Sequence, residues 1–362
     1  MTVGISPKKT DPDYRISHSS PTLGPEDERA VAQAVASGTL VNGPAVENFE
    51  RELARRLQRR RAIALTSGST ALHLALRAMR AGPGDQVAIP SYTCVSVLQA
   101  VRRAGAEPLP IDCDPATFHM DPDDLRRRLT GRTVATILDH TFGLPAEFET
   151  IASAGPPVIE DVATAVGARF DGGPAGSDGR CTVCSFNATK VLTTGGGGAV
   201  LSDDLKLMSR VSDRVDYDAR GDARVRYNER LGELGASLGL AQLARLESFI
   251  GRRREIAQVY RNELEGTDLL LPPDDQWREP VWHRFVVRVT GGSDWIRTEL
   301  ADRGIASPRP VYQPLHQILG RGDYPGAETA HREALSLPIY PSLGDDDVRF
   351  VAEEVRRCLT RH

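Results

Sequence analysis

Between residues 61 and 161 short apolar runs alternate with helical segments, and this alternation restricts the possible folds more than any other feature of the chain. R-A-I-A-L at 61–65, Q-V-A-I-P at 86–90, E-P-L-P-I-D at 107–112, T-V-A-T-I-L-D-H at 133–140 and P-P-V-I-E-D at 156–161 read as strands. Helical patterns occupy 71–79, 92–104 and 121–129. Strands that are apolar along their whole length are buried on both faces, and helical connections between them make the sheet parallel. The expected fold class is therefore α/β, with a mostly parallel sheet between helices. In such sheets functional groups gather beyond the carboxyl ends of the strands. Ser67, Ser69, Tyr92, His140, Asp161 and Lys190 all fall there.

The flanks divide the chain. Residues 1–24, rich in Pro, Ser and Asp, read as an extended arm, and a helix follows at 25–37 with acids at its front and glycine at its stop. The segment 39–46 carries turn residues, and helical spacing returns over 46–57. Residues 204–265 read as helical and arginine-rich, and 266–279 as a loop. A strand at 283–289 and helices at 295–304 and 345–359 complete a smaller α+β unit. The expected organisation is an arm (1–24), a large domain (25–247) and a small domain (248–362).

Charge and cysteine usage exclude several classes. A net charge of −4 lacks the basic surplus that phosphate contacts of a general nucleic-acid binder require. The cluster R-R-L-Q-R-R-R at 55–61 reads as a solvated helix face. No run is long and apolar enough to cross a bilayer, and the N-terminus has no signal-like apolar stretch. Five cysteines fit a reducing cytoplasm. Cys181 and Cys184 spell C-x-x-C, but on a strand residues three apart point to opposite faces, so no metal or redox pair is expected.

Three features carry chemistry. Only four lysines, Lys8, Lys9, Lys190 and Lys206, stand among 45 basic residues. Lys190 lies in C-S-F-N-A-T-K-V-L-T-T-G-G-G-G-A-V at 184–200, between a strand-like run and four glycines. It reads either as a surface loop lysine or as an amine kept because a desolvated lysine, unlike arginine, becomes a nucleophile or base. Thr66-Ser67-Gly68-Ser69-Thr70 joins a strand to a helix and reads as a capped helix or as an anion cradle. Asp161 ends a buried strand, where a carboxylate needs a partner: an arginine, a helix N-terminus or a protonated heteroaromatic nitrogen. A lysine, an acid at a strand end and a phosphate cradle are together what pyridoxal 5′-phosphate (PLP) requires.

With these segments placed, the chain resembles the DegT/DnrJ/StrS family of fold-type I PLP-dependent sugar aminotransferases from about residue 18 to its end. The resemblance rests on S-G-T-L-V-N-G-P-A-V-E-N-F-E (37–50), T-S-G-S-T-A-L-H-L-A-L (66–76), P-S-Y-T (90–93), H-T-F-G (140–143), V-I-E-D (158–161) and S-F-N-A-T-K-V-L-T-T-G (185–195). Y-N-E-R (227–230), G-L-A-Q-L (239–243), P-L-H (314–316) and S-L-P-I-Y-P-S-L (336–343) continue it. It implies a seven-stranded-type sheet, a homodimer with shared sites, an amino-acid donor such as glutamate, and a nucleotide-linked keto-sugar or cyclitol acceptor. Lys190 would hold the cofactor covalently and carry the proton, and Asp161 would pair with its ring nitrogen. Ser69, Thr70 and Ser185 would hold the phosphate, with Asn228 reaching it from the partner subunit. Arg230, Tyr312 and His316 would lie near the substrate.

The chain also departs from that pattern. Thr164 stands where relatives place Gln or His against the cofactor's phenolic oxygen, Cys94 where an aromatic stacks on the ring, and Gly196 where an acid is common. These changes leave room for elimination, decarboxylation or another PLP reaction, and a non-catalytic regulatory member is a further alternative. A dinucleotide enzyme is not expected, because Gly195 to Gly198 do not follow the G-x-G-x-x-G spacing.

Overall fold

The structure, a computed structural model, describes residues 14–218 and 221–360. Its central sheet contains β1 (Arg61–Leu65), β2 (Gln86–Pro90), β3 (Glu107–Ile111), β4 (Thr133–Asp139), β5 (Val158–Asp161), β6 (Cys181–Ser185) and β7 (Gly198–Ser202). The order across the sheet is β1-β7-β6-β5-β4-β2-β3. Strands β3, β2, β4, β5 and β6 are mutually parallel, and β7 runs antiparallel to both β6 and β1. The seven-stranded, mostly parallel sheet expected of the chain is present.

Strand β7 was not legible in the sequence, because G-A-V-L-S follows three glycines with no helix before it. Its direction matters. Since β6 and β7 form an antiparallel pair closed by Ser185 opposite Gly198, the loop 186–197 returns to the edge it left. Lys190 is thereby held at the carboxyl end of β6.

Helices α1 (Pro25–Ser37), α2 (Pro44–Arg56), α3 (Gly68–Ala78), α4 (Val95–Ala104), α5 (Pro122–Arg128), α6 (Phe148–Ala152), α7 (Leu205–Val215) and α8 (Glu233–Ala244) cover the sheet. On one face Ile63, Ile137, Ile159 and Cys181 pack with α3, α4 and α7. On the other, Ala64, Cys184 and Leu201 pack with Phe49, Leu53 and Ile250. The two cysteines of C-x-x-C therefore lie in different cores, as strand alternation requires.

Helix α9 (Leu246–Leu264) places Leu246 and Ile250 in the second core and Ile256, Tyr260 and Leu264 in a third. The expected boundary at 247/248 thus falls inside a continuous helix. The third core lies against β8 (Leu269–Leu270), β9 (Phe285–Val289) and β10 (Ala334–Leu337), an antiparallel sheet with α10 (Asp294–Asp302) and α13 (Asp345–Leu359) on it. Two shorter helices, α11 (Leu315–Ile318) and α12 (Pro325–Glu333), connect it back to the first sheet.

Several boundaries differ from the sequence reading. Helix α4 begins at Val95, because Tyr92 is buried against Phe118 and Phe142 in the loop before it. The helical stretch expected over 204–265 is interrupted between α7 and α8. The first 13 residues of the expected arm lie outside the described residues; the rest is not free. Ile16 is buried, bonds to Gly304 and Ala306, and so adds an edge to the small unit. No described helix is long and apolar enough to cross a membrane.

Candidate active site

Strands β4 and β5 run in register, with Asp139 opposite Asp161. Register partners on parallel strands share a face, so two carboxyl groups emerge side by side at the strand ends. Asp161 is only 5 % exposed, and one of its oxygens accepts the N–H of Ala163 at 2.9 Å. Burial, and then the charge of Asp139, raise its pKa from 3.8 to about 7. Burial likewise raises Asp139, against the hydrogen bond donated by Thr93 Oγ1 at 2.7 Å.

Lys190 is half-buried in the β6–β7 loop. The loop is pinned internally: Lys190 N–H donates to Asn187, Thr193 Oγ1 to Phe186, and Gly195 N–H to Thr193. Burial lowers the lysine pKa, while Asp161, Cys94 and Asp139 act against that lowering and Arg284 adds to it. The amine is therefore near enough to both carboxylates, the Cys94 thiol and the Arg284 guanidinium for their charges to act on it.

The glycines explain why this loop meets α3. A Cβ at Gly198 would lie 2.4 Å from the Ser67 carbonyl, so only glycine lets β7 approach the N-terminus of α3 this closely. A Cβ at Gly68 would fall 2.7 Å from that of Ser185, which sets the Ser185 side chain beside the first turn. The amides of Gly68 and Ser69 open that turn, where a helix has no internal acceptors. The amides and the Ser69 and Ser185 hydroxyls are the donors available to an anion at this helix end.

Thr70 belongs to the cradle only in part. Its N–H donates to Ser67 Oγ, and its hydroxyl donates to Glu229 at 3.2 Å. Glu229, which also accepts from the Thr66 hydroxyl, has settled its carboxylate on this helix end. Asn228 beside it is exposed.

The remaining expected site residues are placed as follows. Cys94 is exposed at the N-cap of α4, close to Lys190. Thr164 gives its hydroxyl to the His140 carbonyl at 2.9 Å. His140 turns away from Asp161. Its Nδ1 accepts the N–H of Ala146 (3.0 Å), so Nε2 carries the proton and donates to Glu160 (3.1 Å). Glu160 in turn accepts N–H bonds from Gly176, Asp178 and Gly179.

Arg230 is engaged with Asp216 (2.6 Å) and Glu50 (3.9 Å), beside α7 and α2. Tyr312 is 94 % exposed. His316 is fully buried: it meets Ser91 Oγ at 2.6 Å and stacks on Tyr324 at 4.5 Å. Its ring thus links α11 to the end of β2 through Ser91.

Sequence reasoning missed Asp139, Arg284, His18 and Glu229. Asp139 could have been found, since it ends its strand as Asp161 does. Nothing local marks the others, whose positions depend on segments distant in the chain.

The buried Asp161 with its raised pKa, the amine of Lys190 and the Ser69 and Ser185 hydroxyls beside the α3 terminus fit the chemistry of a PLP donor set. Comparisons with known proteins agree. The DegT/DnrJ/EryC1/StrS aminotransferase family profile matches residues 21–356. The chain is 34% identical to a dTDP-4-dehydro-2,3,6-trideoxy-D-glucose 4-aminotransferase of Saccharopolyspora spinosa, over 96% of this chain and 97% of that one. Its fold is similar to the aminotransferase TlmJ of Streptoalloteichus hindustanus (TM-score 0.91, 32% identity, 96% and 99% covered). It is also similar to the PLP form of Spr1654 from Streptococcus pneumoniae (TM-score 0.91, 26% identity, 96% and 99% covered). The chain belongs to the DegT/DnrJ/EryC1/StrS aminotransferase family.

Proposed function

We propose that the protein is a PLP-dependent sugar aminotransferase of a biosynthetic pathway, moving an amino group from an amino acid, with glutamate as the expected donor, to a keto-sugar carried on a nucleotide. The observation that supports this reading is that Lys190 and the buried Asp161 lie near enough for each to act on the other's charge. PLP, when bound, supplies an aldehyde that condenses with amines and a ring that accepts an electron pair.

The residues divide the remaining work. Lys190 would hold the cofactor through Nζ. Once released, its amine, with proton affinity already reduced by burial, removes the proton from the donor's α-carbon and hands it on. Asp161 has no cationic hydrogen-bond partner among the described residues, and a protonated ring nitrogen supplies one; its carboxylate then keeps that nitrogen protonated. The amides of Gly68 and Ser69, with the Ser69 and Ser185 hydroxyls, take the phosphate. Thr164 and Cys94 would border the cofactor in place of the residue types that the resemblance leads one to expect there.

A second copy of the chain would bring Asn228 to the phosphate, which favours a homodimer with shared sites. Five free thiols suit a cytoplasmic location. The test is to incubate the purified protein with PLP, reduce it with borohydride and locate the added mass. The expected site is Lys190, and Lys190→Ala should lose both the adduct and conversion of glutamate to its keto acid. An adduct elsewhere, with conversion retained, refutes the proposal.

A further inference from the structure

Arg284 enters the cleft from the small unit. The segment 281–284 lies across the turn that follows β4: Val281 N–H donates to Gly143 (3.0 Å) and Arg284 N–H to Phe142 (3.1 Å). Gly143 has φ +90°, and a Cβ there would lie 2.8 Å from the amide nitrogen of His283. No side chain fits between the two segments, so the base of Arg284 is fixed relative to the carboxyl ends of β4 and β5.

The guanidinium is fixed as well, by one corner. Its Nη1 donates to the His18 ring, 2.9 Å from Nδ1 and 3.0 Å from Nε2, and Nε2 of His18 meets Ser336 Oγ at 2.8 Å. Burial and the neighbouring guanidinium hold His18 neutral, so it accepts rather than repels. Nε and Nη2 of Arg284 have no partner among the described residues, and no described carboxylate pairs with it. Cys94 and Tyr92 are near enough for their charges to act on Arg284, as Arg284 acts on Lys190. A half-buried guanidinium without an acid is costly unless an anion completes it. Its free edge offers parallel donors in the geometry that grips a carboxylate bidentately. Apolar side chains of Phe118, Phe142, Trp282 and Val286 line a recess beside it, which strengthens any charge-assisted bond.

We propose that Arg284, positioned by His18, is the carboxylate-binding site of the cleft, gripping the substrate carboxylate that lies next to Lys190. The assignment rests on the aminotransferase reading, in which every donor is an amino acid. An amino donor supplies this carboxylate in each turnover, and an acidic keto-sugar is the other source of the same chemistry.

The test separates these sources, and also separates failure of the site from failure of the parent reading. Glutarate binding to the cofactor-free protein is measured by calorimetry for the native chain, Arg284→Gln and Arg284→Lys. Loss of the charge should weaken glutarate about tenfold to a hundredfold, and lysine should restore part of it, because a point charge replaces a fork. His18→Ala should weaken glutarate by less, and in the PLP-loaded protein should raise KM for glutamate with kcat nearly unchanged. A loaded Arg284→Gln that discriminates against glutamate but not against 1-aminopropane assigns the donor carboxylate. Discrimination only against a uronic-acid keto-sugar assigns the acceptor. Glutarate affinity within twofold of native in Arg284→Gln overturns the site. Absence of any Lys190 adduct in the native protein overturns the parent reading while leaving the glutarate result meaningful.

Discussion

Replacing Asp139 with asparagine tests whether the paired strand ends govern the charge of Asp161. The substitution keeps an oxygen for the Thr93 hydroxyl and removes one negative charge. In the cofactor-free protein Asp161 is raised from 3.8 to about 7. Below pH 3.8 both folded and unfolded chains hold the proton, so no stability is lost. Between the two values the unfolded chain releases its proton and the folded one keeps it, so stability falls as pH rises. Above about 7 the loss is complete, at on the order of 4 kcal/mol.

Burial is the larger cause of that shift and Asp139 the second. Strands roughly 4.8 Å apart place the carboxylates about 5 Å from each other, which at an effective dielectric of about 20 is about 3 kcal/mol if both are charged. Because both resist charging, about half of that, or ~1.5 kcal/mol, is the expected relief in Asp139→Asn. Urea midpoints of the cofactor-free native and variant proteins at pH 5 and pH 8 measure it, with carbon-13 NMR of the Asp161 carboxyl as the direct readout. The native protein should weaken more than the variant between these pH values, and Asp161 in the variant should titrate below its native value. Equal weakening, with an unmoved Asp161 titration, would show that the two carboxylates do not sense each other. Adding PLP should reduce the pH dependence of both proteins, since a cation then neutralises Asp161.

Other substitutions probe the framework. Gly198→Ala forces a methyl group onto the Ser67 carbonyl; it should cost about 1–3 kcal/mol in urea unfolding and weaken PLP retention on dialysis, because the lysine loop and the phosphate cradle are pushed apart. Glu160→Gln leaves His140 and three N–H groups, two of them buried, with a weaker acceptor, and should cost about 3 kcal/mol while shifting no substrate KM. His316→Ala should cost about 2–4 kcal/mol by removing the ring stacked on Tyr324. A substrate-binding His316 would instead raise KM without loss of stability, and kinetics beside unfolding curves separate the two.

How far the site could be read in advance depended on where each residue's partners lie. Asp161 and Lys190 could be singled out because their chemistry is written locally: an acid closing an apolar strand, and an amine isolated between a strand and glycines in a chain that otherwise uses arginine. His316 and Arg230 were matched by motif. In the structure the first is sealed under Tyr324 and the second tied to Asp216, partners about which a short motif says nothing.

The sequence by itself determined the layered α/β architecture and the strand ends at which chemistry collects, since both follow from periodicity and from short-range steric preference. Only the tertiary structure decided what shares that edge. The register of β4 and β5 sets Asp139 beside Asp161, the antiparallel return of β7 brings Lys190 back, and the segment after residue 280 lays Arg284 across the turn at Gly143 with His18 from the N-terminal side behind it. Such neighbours come from backbone hydrogen-bond register and close packing between separate stretches, up to 266 residues apart for His18 and Arg284, which no local pattern encodes.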